Sequence, residues 1–130
     1  LLINDEEFVL VTECDMKYDD LKTFHLLAFP KNKEIRSIRD ITIEMIPLLE
    51  RMVITGKQYI KNNFEINENE IETHFHYPPG VMLLHIHFEI VGGDKIRRPL
   101  REHSVHKVIS NLLICPDYYK NIQIEILAKK

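Results

Sequence analysis

The sequence has no excess of positive charge. Its 17 Lys and Arg residues are outnumbered by 20 Asp and Glu residues, which gives a formal net charge of −3 at pH 7. Proteins that hold a long nucleic acid through its phosphates need a basic surface. The composition therefore argues against a long nucleic acid as a partner and leaves room only for a short, local anion site.

Cysteines and long apolar runs are also scarce. No apolar run approaches the roughly 20 residues that a membrane-spanning helix needs, so we expect no membrane partner. The two cysteines, Cys14 and Cys115, lie far apart in a chain without signal-peptide features. We interpret them as free thiols of a reducing compartment, with a disulfide as the alternative. Because the first residue is Leu1 rather than Met, we expect a processed or truncated piece of a longer protein.

The remaining composition, with 45% hydrophobic and 28% charged residues, is that of a single globular domain over residues 1–130. The hydrophobic pattern predicts a long helix over residues 43–63 with Thr42 as its N-cap, and a shorter helix over residues 100–113. It also predicts about five strands, at residues 8–12, 22–29, 71–77, 82–91 and 121–128. These elements indicate an α+β fold, in which two helices pack against an antiparallel sheet.

Histidines are concentrated in one stretch of the sequence. His74 and His76 precede a Pro-Pro-Gly turn, and His85 and His87 follow it. Residues i and i+2 of a strand point to the same face, so each pair is expected to present its imidazoles side by side. An even-length connection over residues 78–81 predicts that His74 faces His85 across a hairpin. The apolar residues that alternate with the histidines then fill the buried face: Phe75, Leu84, Ile86 and Phe88.

This pattern of histidines is compatible with three interpretations. The first is a nucleophilic imidazole whose neighbours orient it and donate to an anionic substrate. The second is a zinc site, because His-x-His on a strand matches metal-ligand spacing, although no third type of ligand lies nearby in sequence. The third is a set of surface histidines on the solvent face of an amphipathic hairpin, which is the interpretation we favour for His74. His25, within an apolar strand, is interpreted as a hydrogen-bonded structural histidine.

The strand after the turn resembles a known motif. Residues 83–89 resemble the histidine-triad motif, His-φ-His-φ-His-φ-φ, without its first histidine. Over nearly the whole chain, the sequence is similar to the C-terminal domain of the scavenger mRNA decapping enzymes. The run Arg36-Ser37-Ile38-Arg39-Asp40 is much more specific than a lone His-x-His pair. The other matching stretches are residues 13–18, 35–42, 47–49, 76–79, 85–88 and 115–119.

The resemblance implies an enzyme of histidine-triad fold that needs no metal and no cofactor. Such an enzyme cleaves the triphosphate bridge of 7-methylguanosine cap dinucleotide, or of short capped RNA fragments, through a nucleotidyl-histidine intermediate, and releases 7-methylguanosine monophosphate. His85 matches the nucleophilic histidine, while His87 and His76 match histidines that contact phosphate oxygens or the leaving group. The resemblance further implies a homodimer in the cytoplasm, with the nucleus as a second candidate compartment.

Three other residues are implied in substrate binding. Asp15 matches the acidic residue that hydrogen-bonds the methylated guanine, whose positive charge suits a carboxylate. Lys17 matches the lysine that holds phosphate. Arg101, at the start of the predicted second helix, is an additional candidate for a phosphate contact.

The sequence also departs from the family pattern. Leu83 stands at the position of the first triad histidine, where a leucine still offers its backbone carbonyl to orient the nucleophile. Gly80 and Val81 replace polar residues of the turn that contacts phosphate. The family has an N-terminal, domain-swapped half that supplies an aromatic residue to stack on the cap, whereas this sequence contains no tryptophan. We therefore expect residues 1–130 to be the C-terminal part of a longer protein and to form only part of an active site.

Other functions stay open at this point. Another histidine-triad activity, on dinucleoside polyphosphates or nucleoside phosphoramidates, is the nearest alternative. A non-catalytic module that binds the cap or a nucleotide is the second, and Leu83 favours it. A zinc-binding structural domain is the third.

Overall fold

An antiparallel sheet of six strands is the scaffold of the protein. The computed structural model describes residues 1–14, 16–77, 83–92, 102–122 and 124. Several predicted features lie outside these residues, and their predictions therefore stay untested: Asp15, Arg101, the connection 78–81 and most of the predicted strand 121–128.

Strands and helices alternate irregularly along the described chain. The strands are β1 (Ile3–Asn4), β2 (Phe8–Thr12), β3 (His25–Pro30), β4 (Ile71–His76), β5 (Ile86–Ile90) and β6 (Glu102–Ser104). Their order across the sheet is β1-β2-β3-β5-β4-β6, and every neighbouring pair is antiparallel. The α-helices are α1 (Ile46–Phe64), α2 (Val105–Ile114) and the short α3 (Tyr118–Asn121). The predicted α+β architecture is confirmed, although β1, β6 and α3 were not predicted.

One face of the sheet carries the hydrophobic core, and we call it the core face. Alternate residues of the three central strands point to it, and they are fully buried: Leu26, Ala28, Phe75, Ile86 and Phe88. Helix α1 packs on this face, because a Cβ added at Gly56 would lie 2.6 Å from Cε2 of Phe88. The residues predicted to fill the buried side of the hairpin, including Leu84, are thus confirmed as core.

Both long helices start later than predicted. Residues Ile43–Met45 form a 3-10 turn after Thr42, and α1 begins at Ile46 with Pro47 in its first turn. Proline is tolerated there because the first N–H groups of a helix have no helical partner. The prediction of a helix across residues 102–104 is wrong, since Glu102–Ser104 pair with β4 as strand β6. That pairing satisfies the backbone groups of β4, and three residues are too short a run to show strand alternation in sequence.

Arg39, within the specific run that carries the family resemblance, connects distant parts of the chain. It lies in the 3-10 turn Ile38–Asp40. Its Nη1 donates to the carbonyl oxygens of Tyr119 and Ile122 at 2.8 Å each, and its Nε donates to the hydroxyl of Tyr77 at 3.3 Å. Arg39 therefore joins the end of β4 to the segment that follows α2.

Both cysteines lie at the surface. Cys14 and Cys115 are exposed, and neither forms a disulfide within the described part of the chain, which confirms the prediction of thiols. Of the helices that the structure describes, none combines the length and the apolar character that crossing a membrane requires.

Candidate active site

A cluster of five histidines and one glutamate lies on the sheet face opposite the core face. We call this cluster the histidine face, and its members are His25, His74, His76, His85, His87 and Glu89. The ring centroids of His76 and His87 are 3.8 Å apart, and those of His74 and His87 are 5.3 Å apart with nearly parallel planes. The prediction that a spacing of two gathers the imidazoles on one side of the sheet is confirmed.

The register of the hairpin differs from the prediction by two residues. His74 lies opposite His87 rather than opposite His85. A shift of two residues leaves every side chain on its own face, so the hydrophobic pattern does not distinguish the two registers. As a result His87 is central, because it has His74 on one neighbouring strand and Leu27 on the other.

Burial of the histidine face contradicts the interpretation of solvent-exposed histidines. The relative exposures of His25, His74, His85 and His87 are 6%, 3%, 7% and 6%. The expectation that His74 lies on the solvent face is therefore wrong. The rings cover one another by stacking across β4 and β5, a mutual shielding that needs the folded sheet and has no signal in the sequence.

His85 is held by the backbone two residues before it. Its Nδ1 lies 2.8 Å from the carbonyl oxygen of Leu83. A carbonyl only accepts, so Nδ1 carries the proton and Nε2 keeps its lone pair. Burial lowers the pKa of His85 and outweighs the opposing hydrogen bond to Leu83, so the ring is neutral at neutral pH. A neutral imidazole with this tautomer has the form that a nucleophile requires.

His87 is fixed by another histidine. Its Nδ1 lies 2.7 Å from Nε2 of His25 on the neighbouring strand β3. Burial, followed by the proximity of His76 and the other histidines, lowers the pKa of His87, and this ring is neutral as well. The prediction that His25 is a hydrogen-bonded histidine is confirmed. The sequence did not show that its partner belongs to the triad motif, because β3 and β5 meet only in the folded sheet.

Glu89 is a member of the site that the sequence analysis missed. It is 6% exposed, and its Oε1 lies 3.2 Å from Nε2 of His74 and 3.5 Å from Nε2 of His25. Burial raises the pKa of Glu89, but the interactions with His74 and His25 outweigh it, so the pKa lies below its ordinary value. A signal was present in the sequence, since Glu89 follows His87 by two residues and therefore shares its face.

Of the three predicted substrate-binding residues, the structure places Lys17. It is exposed in the loop after β2, and its backbone N–H donates to Oγ1 of Thr23 at 2.8 Å. The same hydroxyl lies 3.1 Å from the carbonyl oxygen of Lys17. These contacts fix the backbone of the loop and leave the side chain exposed. Asp15 and Arg101 lie outside the described residues, so their approach to the histidine face stays a prediction.

The fold and the site together define the class of domain. An antiparallel sheet that carries His85 and His87 side by side on one face, with helix α1 on the other, is a histidine-triad domain. The chain belongs to the family of scavenger mRNA decapping enzyme C-terminal domains: the family model described as "Scavenger mRNA decapping enzyme C-term binding" matches residues 1–94.

Curated relatives are similar over most of this chain. The m7GpppX diphosphatase of Ascaris suum is 30% identical over 124 residues, which are 95% of this chain and 41% of the relative. The human m7GpppX diphosphatase is 30% identical over 114 residues, which are 87% of this chain and 34% of the relative. The protein of the same name from Caenorhabditis elegans is 27% identical and covers 97% of this chain. The chain thus spans less than half the length of these relatives.

Similarity to solved structures is weaker. The aprataxin ortholog Hnt3 from Schizosaccharomyces pombe matches 69% of this chain and 50% of its own, with 20% identity and a TM-score of 0.46. Another Hnt3 structure covers 95% of this chain and 90% of its own, with 16% identity and the same TM-score of 0.46. Similarity at this level supports no functional conclusion.

Proposed function

We propose that this chain carries the nucleophilic half of a hydrolase that cleaves the triphosphate bridge of 7-methylguanosine cap dinucleotide or of short capped RNA fragments. The observation that carries the proposal is the contact of 2.8 Å between Nδ1 of His85 and the Leu83 carbonyl oxygen, because it leaves the Nε2 lone pair for attack. The names of the relatives, m7GpppX diphosphatases, support the same substrate class.

The proposed reaction has two steps at one phosphorus atom. Nε2 of His85 attacks the phosphorus nearest 7-methylguanosine, and the bond from that phosphorus to the bridging oxygen breaks. The product with a terminal diphosphate leaves, and the 7-methylguanosine monophosphoryl group stays on His85 as a phosphoramidate. Water then attacks the same phosphorus, the N–P bond breaks, and 7-methylguanosine monophosphate is released. The electron pair of the broken N–P bond returns to Nε2 of His85, and the proton of the attacking water passes to solvent, which restores the neutral ring.

His87 and His76 are proposed to contact the reacting phosphate. Phosphoryl transfer depends mainly on in-line placement and on donors around the equatorial oxygens. If Nε2–H of His25 donates to Nδ1 of His87 across their 2.7 Å contact, then Nε2–H of His87 is left to donate to a phosphate oxygen. The ring of His76 stacks on His87 at 3.8 Å, so both donors act on the same side of the substrate.

Recognition of the base and the outer phosphates is assigned to the residues that match the family. We propose that Asp15 accepts a hydrogen bond from the methylated guanine and that Lys17 and Arg101 contact phosphate. The exposed side chain of Lys17 is available for such a contact. Replacing Lys17 by alanine is expected to raise KM more than it lowers kcat, because the contact is made in the ground state and in the transition state alike.

The assembly and cellular location of the protein are part of the proposal. We propose that residues 1–130 form one domain and that this domain acts as a homodimer together with a further domain. The greater length of the relatives supports the further domain. The proposed location is the cytoplasm, with the nucleus as a second compartment. Light scattering coupled to gel filtration measures the mass directly, and a monomer at micromolar concentration would contradict the dimer.

The activity is tested by product analysis on the longest available form of the protein. It is incubated with cap dinucleotide and, separately, with a diadenosine polyphosphate, and the products are identified by mass spectrometry in water enriched in ¹⁸O. The expected products of the cap are ¹⁸O-labelled 7-methylguanosine monophosphate and an unlabelled nucleoside diphosphate. Cleavage of the diadenosine compound alone would favour another histidine-triad hydrolase, and binding without turnover would favour a non-catalytic module.

A further inference from the structure

Four side chains of the histidine face lie close enough to share one bound ion. A ligating atom of each of them, three imidazole nitrogens and one carboxylate oxygen, falls within 4.8 Å of the others; the residues are His74, His76, His87 and Glu89. Three of these side chains are buried, and His76 is half-buried. The group is therefore compact, largely closed to bulk solvent and built on two paired strands, which are rigid elements.

The charge around Glu89 favours a cation. Its carboxylate is 6% exposed, and the ion-pair partners that the structure describes for it are both histidines, His25 at 3.5 Å and His74 at 3.2 Å. Within the described residues, no lysine or arginine pairs with it. A buried carboxylate is stabilised by a positive charge or a metal, so a cation among these four side chains would add to the stabilisation that His74 and His25 already provide.

His87 is prepared to act as a ligand. Its Nδ1 is in contact with His25, and its Nε2 has no hydrogen-bond partner within the described part of the chain. A histidine that binds a metal through Nε2 donates its Nδ1–H to a second group, which fixes the tautomer. In the metal-bound state the hydrogen bond would be the reverse of the one in the phosphate-binding state: Nδ1–H of His87 donates to Nε2 of His25. The Nδ1–H of His25 then faces Glu13, whose Oε2 lies 3.9 Å away. His25 and Glu13 thus lie behind His87, where an outer shell of a metal site would be.

We propose that His74, His76, His87 and Glu89 form a binding site for one divalent ion of the zinc class. Three imidazole nitrogens and a carboxylate oxygen suit Zn²⁺ in tetrahedral coordination, whereas Mg²⁺ and Ca²⁺ prefer oxygen ligands throughout. Bonds of about 2.0–2.1 Å to the metal place tetrahedral ligands roughly 3.4 Å apart. The three imidazoles are stacked, so binding one ion requires the rings to rotate until their nitrogen atoms point to a common centre. Ligand atoms that already lie within 4.8 Å of one another bring that centre within reach of all four side chains.

Occupation of this site would inhibit the enzyme. The proposed function uses His76 and His87 as phosphate donors, and a metal would take the same nitrogen atoms. This consequence rests on the proposed function, but the site itself does not. Measuring metal binding directly, without substrate, therefore separates a failure of the site from a failure of the proposed activity.

The test is a metal titration of the untagged protein, whose exposed thiols, Cys14 and Cys115, are first alkylated so that they cannot bind metal. Zn²⁺ affinity is measured by competition with a chromophoric chelator, and Co²⁺ is added separately as a spectroscopic probe. The variants are Glu89→Gln, which keeps the shape of the side chain, and His74→Asn. His106→Asn is the matched control, because His106 is an exposed histidine on α2. Thermal unfolding verifies that each variant is folded.

The wild-type protein and His106→Asn are expected to bind one Zn²⁺ per chain and to give the intense visible absorption of tetrahedral Co²⁺. Loss of a ligand is expected to weaken binding at least about tenfold in Glu89→Gln and in His74→Asn. Should His74→Asn fail to fold, Glu89→Gln decides the question alone. Absence of stoichiometric binding by the wild type, or unchanged affinity in folded Glu89→Gln, would overturn the proposal.

Discussion

The carbonyl oxygen of Leu83 lies 2.8 Å from Nδ1 of His85. The histidine-triad motif has a histidine at this position, and the present chain has a leucine, yet the contact uses a backbone atom that both residues possess. The tautomer of His85 is therefore set without the missing imidazole. The expectation that the Leu83 carbonyl still orients the His85 ring is confirmed in its geometry, whereas the role of His85 as nucleophile stays a proposal.

His85→Asn is expected to abolish turnover while leaving ligand binding largely intact. The amide cannot form the covalent nucleotidyl intermediate, but it is polar and of similar size, so the site keeps its shape. We expect kcat to fall at least about a thousandfold, measured by release of 7-methylguanosine monophosphate. Calorimetry with a non-hydrolysable cap analogue checks that His85→Asn still binds the ligand. The control is His106→Asn, an exposed histidine variant that is expected to keep full turnover. Appreciable residual cleavage by His85→Asn would remove His85 from the nucleophile role.

Chelation of metals is expected to leave turnover unchanged or to increase it. The proposed nucleophile, His85, is a neutral imidazole that needs no metal to become reactive, and a zinc ion on His76 and His87 would only block the proposed phosphate site. Turnover is compared before and after dialysis against a strong chelator, with re-addition of Zn²⁺ as the reverse step. A strict requirement for a divalent ion would contradict the proposed mechanism.

Gly56→Ala is expected to destabilise the fold by about 1–2 kcal/mol. The new Cβ would lie 2.6 Å from Cε2 of Phe88, a ring with no exposed surface, and overpacking of this kind costs about 1–3 kcal/mol. The better helix propensity of alanine, roughly 1 kcal/mol, offsets only part of that cost. Urea unfolding measures the difference, with Ile54→Ala on the exposed side of the same helix as the control. A variant as stable as the wild type would show that helix α1 does not press on the sheet at this position.

Arg39→Met is expected to cost about 2 kcal/mol or more. It removes the donors to the carbonyl oxygens of Tyr119 and Ile122, and hydrogen bonds that involve a charged group contribute about 1.5–3 kcal/mol each. Arg36→Met is the matched control, because Arg36 lies in the same run and is exposed. Both variants are compared by urea unfolding. Equal effects of the two substitutions would mean that the bonds of Arg39 contribute nothing to stability.

Stability is expected to fall as the pH decreases through the range near 6.5, partly because of His103. Burial lowers the pKa of His103 from its ordinary value of 6.5, so the unfolded chain binds a proton more readily than the folded chain. Stability contributed by the neutral ring is therefore fully present above pH 6.5 and is lost as the pH falls toward the lower pKa of the folded state. Burial raises the pKa of its neighbour Tyr119, so Tyr119 stays neutral over this pH range and does not offset the loss of stability.

His103→Phe keeps an aromatic ring against Tyr119, 6.4 Å away between centroids, and removes the titrating group. The free energy of unfolding is measured by urea at about pH 7.5 and about pH 5.5. The decrease in the free energy of unfolding from the higher to the lower pH is expected to be smaller in His103→Phe than in the wild type. The control, exposed His106→Phe, is expected to show the same decrease as the wild type. An identical loss in all three proteins would exclude a contribution from His103.

Much of the domain could be predicted from local sequence. The long apolar repeat predicted a helix over residues 43–63, which contains most of α1, and alternation predicted strands over residues 71–77 and 82–91, which contain β4 and β5. The second strand begins later than predicted, at Ile86, because residues 83–85 are not part of the sheet. The two-residue spacing of the histidines also placed them on one face. The short elements, β1 and β6, could not be predicted, because two or three residues carry no periodic signal and form strands only by pairing with β2 and β4.

The amino-acid sequence by itself determined which side chains share a face, because alternation along a strand is a local property of the backbone. Only the tertiary structure decided which of them meet. His25 reaches His87 across a strand pair separated by 62 residues of sequence, Glu89 joins His74 from the next strand, and the register places His74 opposite His87. Strand pairing is a long-range choice, and registers that differ by two residues keep the same pattern of faces.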